Sequence, residues 1–241
     1  MRLIYISPHL DDAILSAGGL IHDQVQAGRH VEIWTVFCGF PPANQLSSFA
    51  QIIHQKWGIM DTNELVAARR AEDKAAADIA GAQVFHFDFL DCIYRRGRDG
   101  NWLYSDVFIP PHTDDDGLPA QIAEAISARL NPDDELVCQL ALGAHLDHTL
   151  VRRAAELLGR PLTYDVDIPY LFNFPDDFAL KTAKMKEITH RITEAGLRSW
   201  GDAILAYTSQ FGTLFSSPEE MREKLQQYWA EKQGISFWKF E

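Results

Sequence analysis

Two short apolar runs, separated by one helix-length stretch and followed by a polar cluster, constrain this chain more than any other feature. Leu3-Ile4-Tyr5-Ile6 is short and β-rich, as a buried strand is. Residues 14–27 read as a helix, with Ile14, Leu15, Leu20, Ile21 and Val25 on one broad apolar face and Gly28 as its stop. Gly18 and Gly19 weaken that helix and point to a close approach between helix and sheet. Residues 31–37 are the next strand. Strand, helix, strand is the βαβ unit of a parallel sheet, and such sheets bind ligands beyond the carboxyl ends of their strands.

Further apolar runs at 84–89, 136–142 and 162–166 extend the sheet. Helices at 61–81, 119–130 and 149–158 lie between them, the first opening on Asp61 and Glu64 as in a capping box. The last third reads as helical, at 178–195, at 203–206 running into Tyr207, and at 219–232. The expected class is α/β: a Rossmann-like open, mostly parallel sheet with helices on both faces and a helical C-terminal region. No repeat or linker divides the chain, so 1–241 is expected to be a single domain.

The bulk numbers narrow the function. A length of 241 residues supports a substantial core. A net charge of -12 disfavours a nucleic-acid partner. The three cysteines, Cys38, Cys92 and Cys138, form no Cys-x-x-Cys pair, which argues against a zinc knot or a disulfide framework and fits a reducing cytoplasm. There is no signal peptide and no apolar run of about 18 residues, so a soluble, cytoplasmic protein without a membrane span is expected. Neither a Gly-x-Gly-x-x-Gly after the first strand nor a Walker-type loop is present, which disfavours dinucleotide and P-loop chemistry.

The polar clusters carry the chemistry. Ser7-Pro8-His9-Leu10-Asp11-Asp12 follows the first strand, which Pro8 stops because it has no N–H for a ladder. Adjacent carboxylates point different ways, so one can bind a metal with His9 while its neighbour faces the metal's ligand. Taken alone, the stretch reads equally well as a helix cap. A second cluster, His145-Leu146-Asp147-His148, follows the fourth strand. Together the two offer imidazoles and a carboxylate for one metal with an open position, as catalytic zinc requires. A carboxylate is left to take a proton from water and an imidazole to meet an oxyanion, an inventory for amide or ester hydrolysis.

Pro8-His9-x-Asp11-Asp12 with His145-x-Asp147-His148 resembles the PIG-L/LmbE family of zinc-dependent N-acetylglucosamine de-N-acetylases. Arg69-x-x-Glu72, Asp91 followed by Tyr94-Arg95, and Tyr207-x-Ser209-Gln210 are weaker matches. The resemblance implies Zn2+, or another divalent metal such as Fe2+, on His9, Asp12 and His148. It implies Asp11 as the general base for a metal-activated water, and His145 as the group that stabilises the oxyanion and protonates the leaving amine. Asp147 would orient His145, and Arg69 and Asp91 would contact the sugar. By helical position alone, Arg69 and Glu72 instead read as a surface salt bridge. The chain departs from the pattern at Leu10 and Leu146, where Pro is common, and at Ala13, where Glu is common.

The expected activity is zinc-dependent removal of an acetyl (N-acyl) group from an N-acetylated amino sugar or glycoconjugate. The alternatives are a metal-dependent phosphoesterase, with two metals about 3.5–4 Å apart, and a non-catalytic metal- or glycan-binding protein on the same fold. The insertion at 38–60 and the loop at 93–117 sit at the ligand edge, as a lid or specificity wall or, for the first, as oligomer packing. Asp114-Asp115-Asp116 lacks EF-hand spacing and reads as a solvated turn. The apolar residues of 40–57 and the terminal Phe237-Trp238-Lys239-Phe240 fit either self-association as a homo-oligomer or docking on the chain's own core.

Overall fold

The computed structural model describes residues 1–42 and 45–240. In chain order its elements are β1 (Arg2–Ser7), α1 (Asp12–Gln26), β2 (His30–Phe37), α2 (Ser48–Trp57), α3 (Thr62–Ala80), β3 (Gln83–Phe89), α4 (Leu118–Ser127), β4 (Glu135–Gln139), α5 (Leu146–Leu157) and β5 (Leu162–Asp165). They continue with α6 (Tyr170–Asn173), α7 (Pro175–Thr182), β6 (Met185–Arg191), α8 (Glu194–Ile204), α9 (Thr208–Leu214), α10 (Pro218–Lys232) and β7 (Gly234–Phe240). The seven strands form one sheet in the order β3-β2-β1-β4-β5-β7-β6. β1 to β5 run parallel, and β7 lies antiparallel to both β5 and β6.

β1 lies in the interior of the sheet, between β2 and β4, because it is apolar on both faces. Leu3 to Ile6 are all buried, as a strand covered on two sides must be. It pairs with β2 through Ile6↔Trp34 and with β4 through Ile6↔Cys138. The chain leaves β1 for β2 on one side and reaches β4 only later on the other. The crevice beyond β1 and β4 is therefore the switch point of the sheet, and both polar clusters exit into it.

α1, α3 and α8 pack together as one layer, and α4 packs on α5 as another. Asp61 caps α3 by accepting from the Glu64 N–H, and Gly81 ends it with φ 82°. The two glycines of α1 serve a helix–helix contact, not the expected helix–sheet one. A Cβ on Gly18 would sit 2.8 Å from Trp200 of α8, and one on Gly19 would sit 3.1 Å from the Gly196 carbonyl. Trp200 Nε1 reaches into α1 and donates to the Ile14 carbonyl at 2.8 Å.

The expected helix over 178–195 is corrected. α7 ends at Thr182, and Met185–Arg191 is strand β6, paired along its length with β7 from Met185↔Phe240 to Arg191↔Gly234. The partner lies far along the chain, so no local periodicity announces it. Gly234 allows the close pairing, since a Cβ there would strike the His190 carbonyl. The aromatic terminus is therefore a strand docked on its own core, with Phe237 and Trp238 buried and Phe240 exposed. No helix among the described residues is long and apolar enough to cross a membrane.

The Gly18 contact gives a stability test. Gly18→Ala gains about 1 kcal/mol of helix propensity but overpacks Trp200 by about 1–3 kcal/mol, so its urea midpoint is expected to fall. Gly212→Ala in α9, where a Cβ meets nothing within 4 Å, is expected to hold or raise the midpoint.

Candidate active site

The turn after β1 is pinned by its own backbone. The Phe37 N–H donates to the Pro8 carbonyl at 2.8 Å, extending the β2 pairing past the proline. Ser7 Oγ donates to the His9 carbonyl and accepts from the Ala13 N–H. Asp11 occupies the cap position of α1, yet its side chain makes no capping hydrogen bond. The helix-cap reading of the cluster therefore fails, and the Asp11 carboxylate is left to the crevice. Asp12 turns the other way, and its Oδ2 accepts from the His9 N–H at 2.8 Å.

The second cluster opens α5. His145 Nδ1 accepts from the Asp147 N–H at 3.2 Å, so in the neutral ring the proton sits on Nε2. His148 follows within the first turn and is fully buried. The three imidazoles meet: ring centroids are 5.0 Å apart for His9–His145, 5.3 Å for His9–His148 and 4.7 Å for His145–His148. Each offers a nitrogen within 4.8 Å of the others. Asp12 Oδ2 stands 3.4 Å from His9 Nδ1 and 3.4 Å from His148 Nε2.

These spacings fit a metal. Tetrahedral zinc with bonds of about 2.0–2.1 Å places its donors about 3.3 Å apart. His9 holds its other nitrogen, Nε2, 3.1 Å from Asp147 Oδ2, the carboxylate–imidazole arrangement that orients a metal-binding histidine. His148 Nδ1 is buried without a partner among the described residues.

Electrostatics agree with that fit. Burial works against the Asp12 charge, but His148 and His9 outweigh it and hold the carboxyl far below its usual range. Burial pushes His148 down to about 4. Burial and the other two imidazoles push His145 well below its ordinary value. His9 is raised against its burial by Asp12 and Asp147, so a metal would displace a proton there. Asp11 differs from its neighbour: burial and the Asp12 charge push it up to about 8, with Arg69 and His9 pulling it back.

Asp147 does not orient His145 with its carboxylate. Oδ2 takes His9 Nε2 and the Cys92 N–H at 3.0 Å, and Oδ1 takes Arg95 at 2.5 Å. His9, Asp91 and Asp147 converge as a second possible donor group, but Asp147 is fully engaged, which disfavours a second metal there.

Arg69 and Glu72 are not a surface pair. Arg69 is buried, its guanidinium 4.5 Å from the Trp57 ring centroid and 3.9 Å from Asp91 Oδ2. Glu72 accepts from Thr208 Oγ1, from the Ser209 N–H and from Ser209 Oγ. The Asp114–Asp116 turn is only partly solvated, because Asp115 is buried against Arg95 and Tyr104.

All eight residues expected at the site lie on one crevice. His9, Asp11, Asp12, Arg69, Asp91, His145 and His148 line a cavity of about 130 Å³, and Asp147 lies directly behind His9. Its walls are Ile53 and Trp57 from α2, Val107 from the 93–117 loop, Tyr170 from α6, and Gln210 and Leu214 from α9. Of these, Tyr170 and Leu214 carried no chemical signal in the sequence. A larger groove of about 690 Å³ against α10, β6 and β7 contains none of the site residues.

Comparison with known proteins supplies the relatives of this crevice. The family model of PIG-L, GlcNAc-PI de-N-acetylase, matches residues 4–158. The 2'-N-acetylparomamine deacetylase of Niallia circulans is 25% identical over 269 residues, covering 98% of this chain and 93% of that protein. The zinc-inhibited form of teicoplanin deacetylase Orf2 superposes with a TM-score of 0.84 at 29% identity, over 99% of this chain and 97% of the other. A40926 pseudoaglycone deacetylase Dbv21 superposes with a TM-score of 0.76 at 28% identity, over 99% and 96%.

The donor geometry predicts which residues hold metal. Asp12→Ala and His148→Ala are each expected to lose stoichiometric zinc after gel filtration, read by elemental analysis, while Asp11→Ala retains it.

Proposed function

The chain belongs to the PIG-L family, and on that premise we propose that it is a zinc-dependent N-deacetylase acting on an N-acetylated amino sugar or glycoconjugate, with 1–241 as one catalytic domain. The observation that carries this is the division between two adjacent aspartates. Asp12 shares one oxygen between His9 and His148, whereas Asp11 caps nothing and faces the same cavity.

His9, Asp12 and His148 are the residues that would hold the metal. A divalent cation there supplies Lewis-acid polarisation of the acyl oxygen and of the attacking water. Asp11 takes the proton of that water as its oxygen bonds the acyl carbon. The His145 Nε2–H donates to the oxyanion that develops. Its depressed basicity keeps that ring a neutral donor. When the C–N bond breaks, Asp11 returns that proton to the leaving amine; the resemblance gives this step to His145, but the neutral His145 ring has only the Nε2–H that meets the oxyanion and no further proton to give. Acetate and a free amine leave.

Arg69 and Asp91, at the cavity wall, are assigned to the sugar hydroxyls. Arg69 is a fixed donor because the Trp57 ring supports it. The names of the relatives, 2'-N-acetylparomamine and teicoplanin deacetylases, support an amino sugar of the N-acetylglucosamine type as substrate. Three buried, unbridged cysteines support a cytoplasmic setting.

The test is acetate release from a panel of N-acetylated amino sugars and their glycosides. Chelation is expected to abolish turnover and one equivalent of zinc to restore it, with the titration carried past one equivalent because a related deacetylase has a zinc-inhibited form. Asp11→Ala is expected to lose about 10²–10⁴ in kcat while still binding zinc; undiminished turnover in that variant would sink the mechanism.

A further inference from the structure

We propose that Arg95 is a positioning residue that ties the 97–117 loop to the imidazole of His9, so that the anchoring of this loop sets the affinity of the site for its metal. The proposal rests on the assignment of His9 as a ligand.

Arg95 is buried, and its guanidinium is held on several sides. One terminal nitrogen donates to Asp147 Oδ1 at 2.5 Å, and the other donates to the Leu90 carbonyl at 3.2 Å. Its Nε lies 2.9 Å from Asp115 Oδ2, with the N–H aimed off that oxygen, so the contact is one of charge attraction. The ring centroids of Phe37 and Tyr104 lie 5.0 and 5.2 Å from the guanidinium carbon. Tyr104 donates its hydroxyl to the same Asp115 oxygen at 2.5 Å. Asp115, Arg95, Asp147 and His9 therefore form a buried path of alternating charge from the loop to the metal donors.

Each member has a task that its neighbour makes possible. The Asp147 carboxylate is fully buried, and the guanidinium of Arg95 is the cation that meets it there. Because Arg95 occupies Oδ1, the oxygen left for His9 is Oδ2. That fixes the ring with Nε2–H on Asp147 and the Nδ1 lone pair towards Asp12, where the other donors meet. Asp115 holds the outer edge of Arg95. The loop it belongs to also closes on the second cluster, since the Leu146 N–H donates to the Val107 carbonyl at 2.8 Å. Freeing Asp115 loosens Arg95, lets Asp147 shift, and costs His9 its orientation.

The experiment titrates zinc into metal-free full-length protein against a chromophoric chelator, with the thermal midpoint of each metal-free variant recorded alongside. Arg95→Met is expected to weaken zinc binding about 10–100-fold. Arg95→Lys should fall between it and the wild type, because a single ammonium cannot reproduce the guanidinium fork. Asp115→Asn, which touches no proposed ligand, is expected to weaken binding in the same direction by a smaller factor. Arg98→Ala, on the exposed part of the same loop, should bind as the wild type does. The cobalt-substituted Arg95 variants are expected to show altered absorption bands, which a loss of general stability alone would not produce. If Arg95→Met fails to fold, Asp115→Asn and Arg95→Lys decide the matter. Wild-type affinity and wild-type cobalt spectra in both overturn the proposal. A wild-type protein that binds no zinc overturns the assignment of the site itself.

Discussion

The buried charge of Asp12 and Asp147 is the constraint on which the rest of the crevice depends. A carboxylate withdrawn from water costs several kcal/mol unless charge or hydrogen bonds meet it. The fold meets these two differently. Asp147 receives a guanidinium, an imidazole and a backbone N–H. Asp12 receives the His9 N–H and two imidazole nitrogens at the distances of metal donors. Asp11, next in sequence to Asp12 and equally withdrawn from water, receives no such set and is pushed towards its protonated form. Two adjacent aspartates are thus given opposite chemistry by what surrounds them. That opposition is what a hydrolytic site needs: one carboxylate fixed as a ligand, the other free to carry a proton.

The sheet order makes this possible. β1 and β4 are neighbours although β2, β3 and four helices intervene in the chain. Their parallel register, Ile6 beside Cys138, brings their exits to one crevice. Each cluster then turns into a helix, so that Asp12 begins α1 and Asp147 and His148 lie in the first turn of α5. Helix starts place side chains with little rotational freedom, which suits groups that must meet within a few tenths of an ångström.

The sequence was most legible where a local signal and a local structure coincide. Apolar runs followed by His-x-Asp clusters were visible as strand exits, and both exits proved to face one crevice. Arg69 was less legible: helical spacing to Glu72 suggested a surface pair, but α9 claims Glu72 and Trp57 covers Arg69. Only a distant segment of chain could reveal that. β6 departs from the expected helix for the same reason, since Ile188 and Thr189 acquire strand geometry from partners on β7, Phe237 and Ser236. The resemblance implies that the Asp147 carboxylate orients His145, whereas space gives it to His9. In each case the missed information is a long-range contact with no periodicity to announce it.

One short segment joins the cavity walls to the buried carboxylate behind His9. The exit of β3 presents Asp91 to the cavity, the Cys92 N–H to Asp147, Tyr94 to α2 and Arg95 to the 97–117 loop. Tyr94 meets His54 of α2 at 2.6 Å, and α2 supplies Ile53 and Trp57 to the cavity wall. The loop supplies Val107 to the same wall. Both wall-forming segments are therefore anchored at the β3 exit, where Cys92 and Arg95 also hold Asp147. A change of substrate made by remodelling either element would have to preserve its anchor, His54 or Asp115, while remaining free to vary the residues that face the cavity. Ala13 belongs to neither group: it is buried in the core beneath the turn, so the position where the family pattern carries a Glu presents no side chain to the cavity wall. The cavity presents Arg69, Asp91 and the walls that α2 and the loop provide in its place.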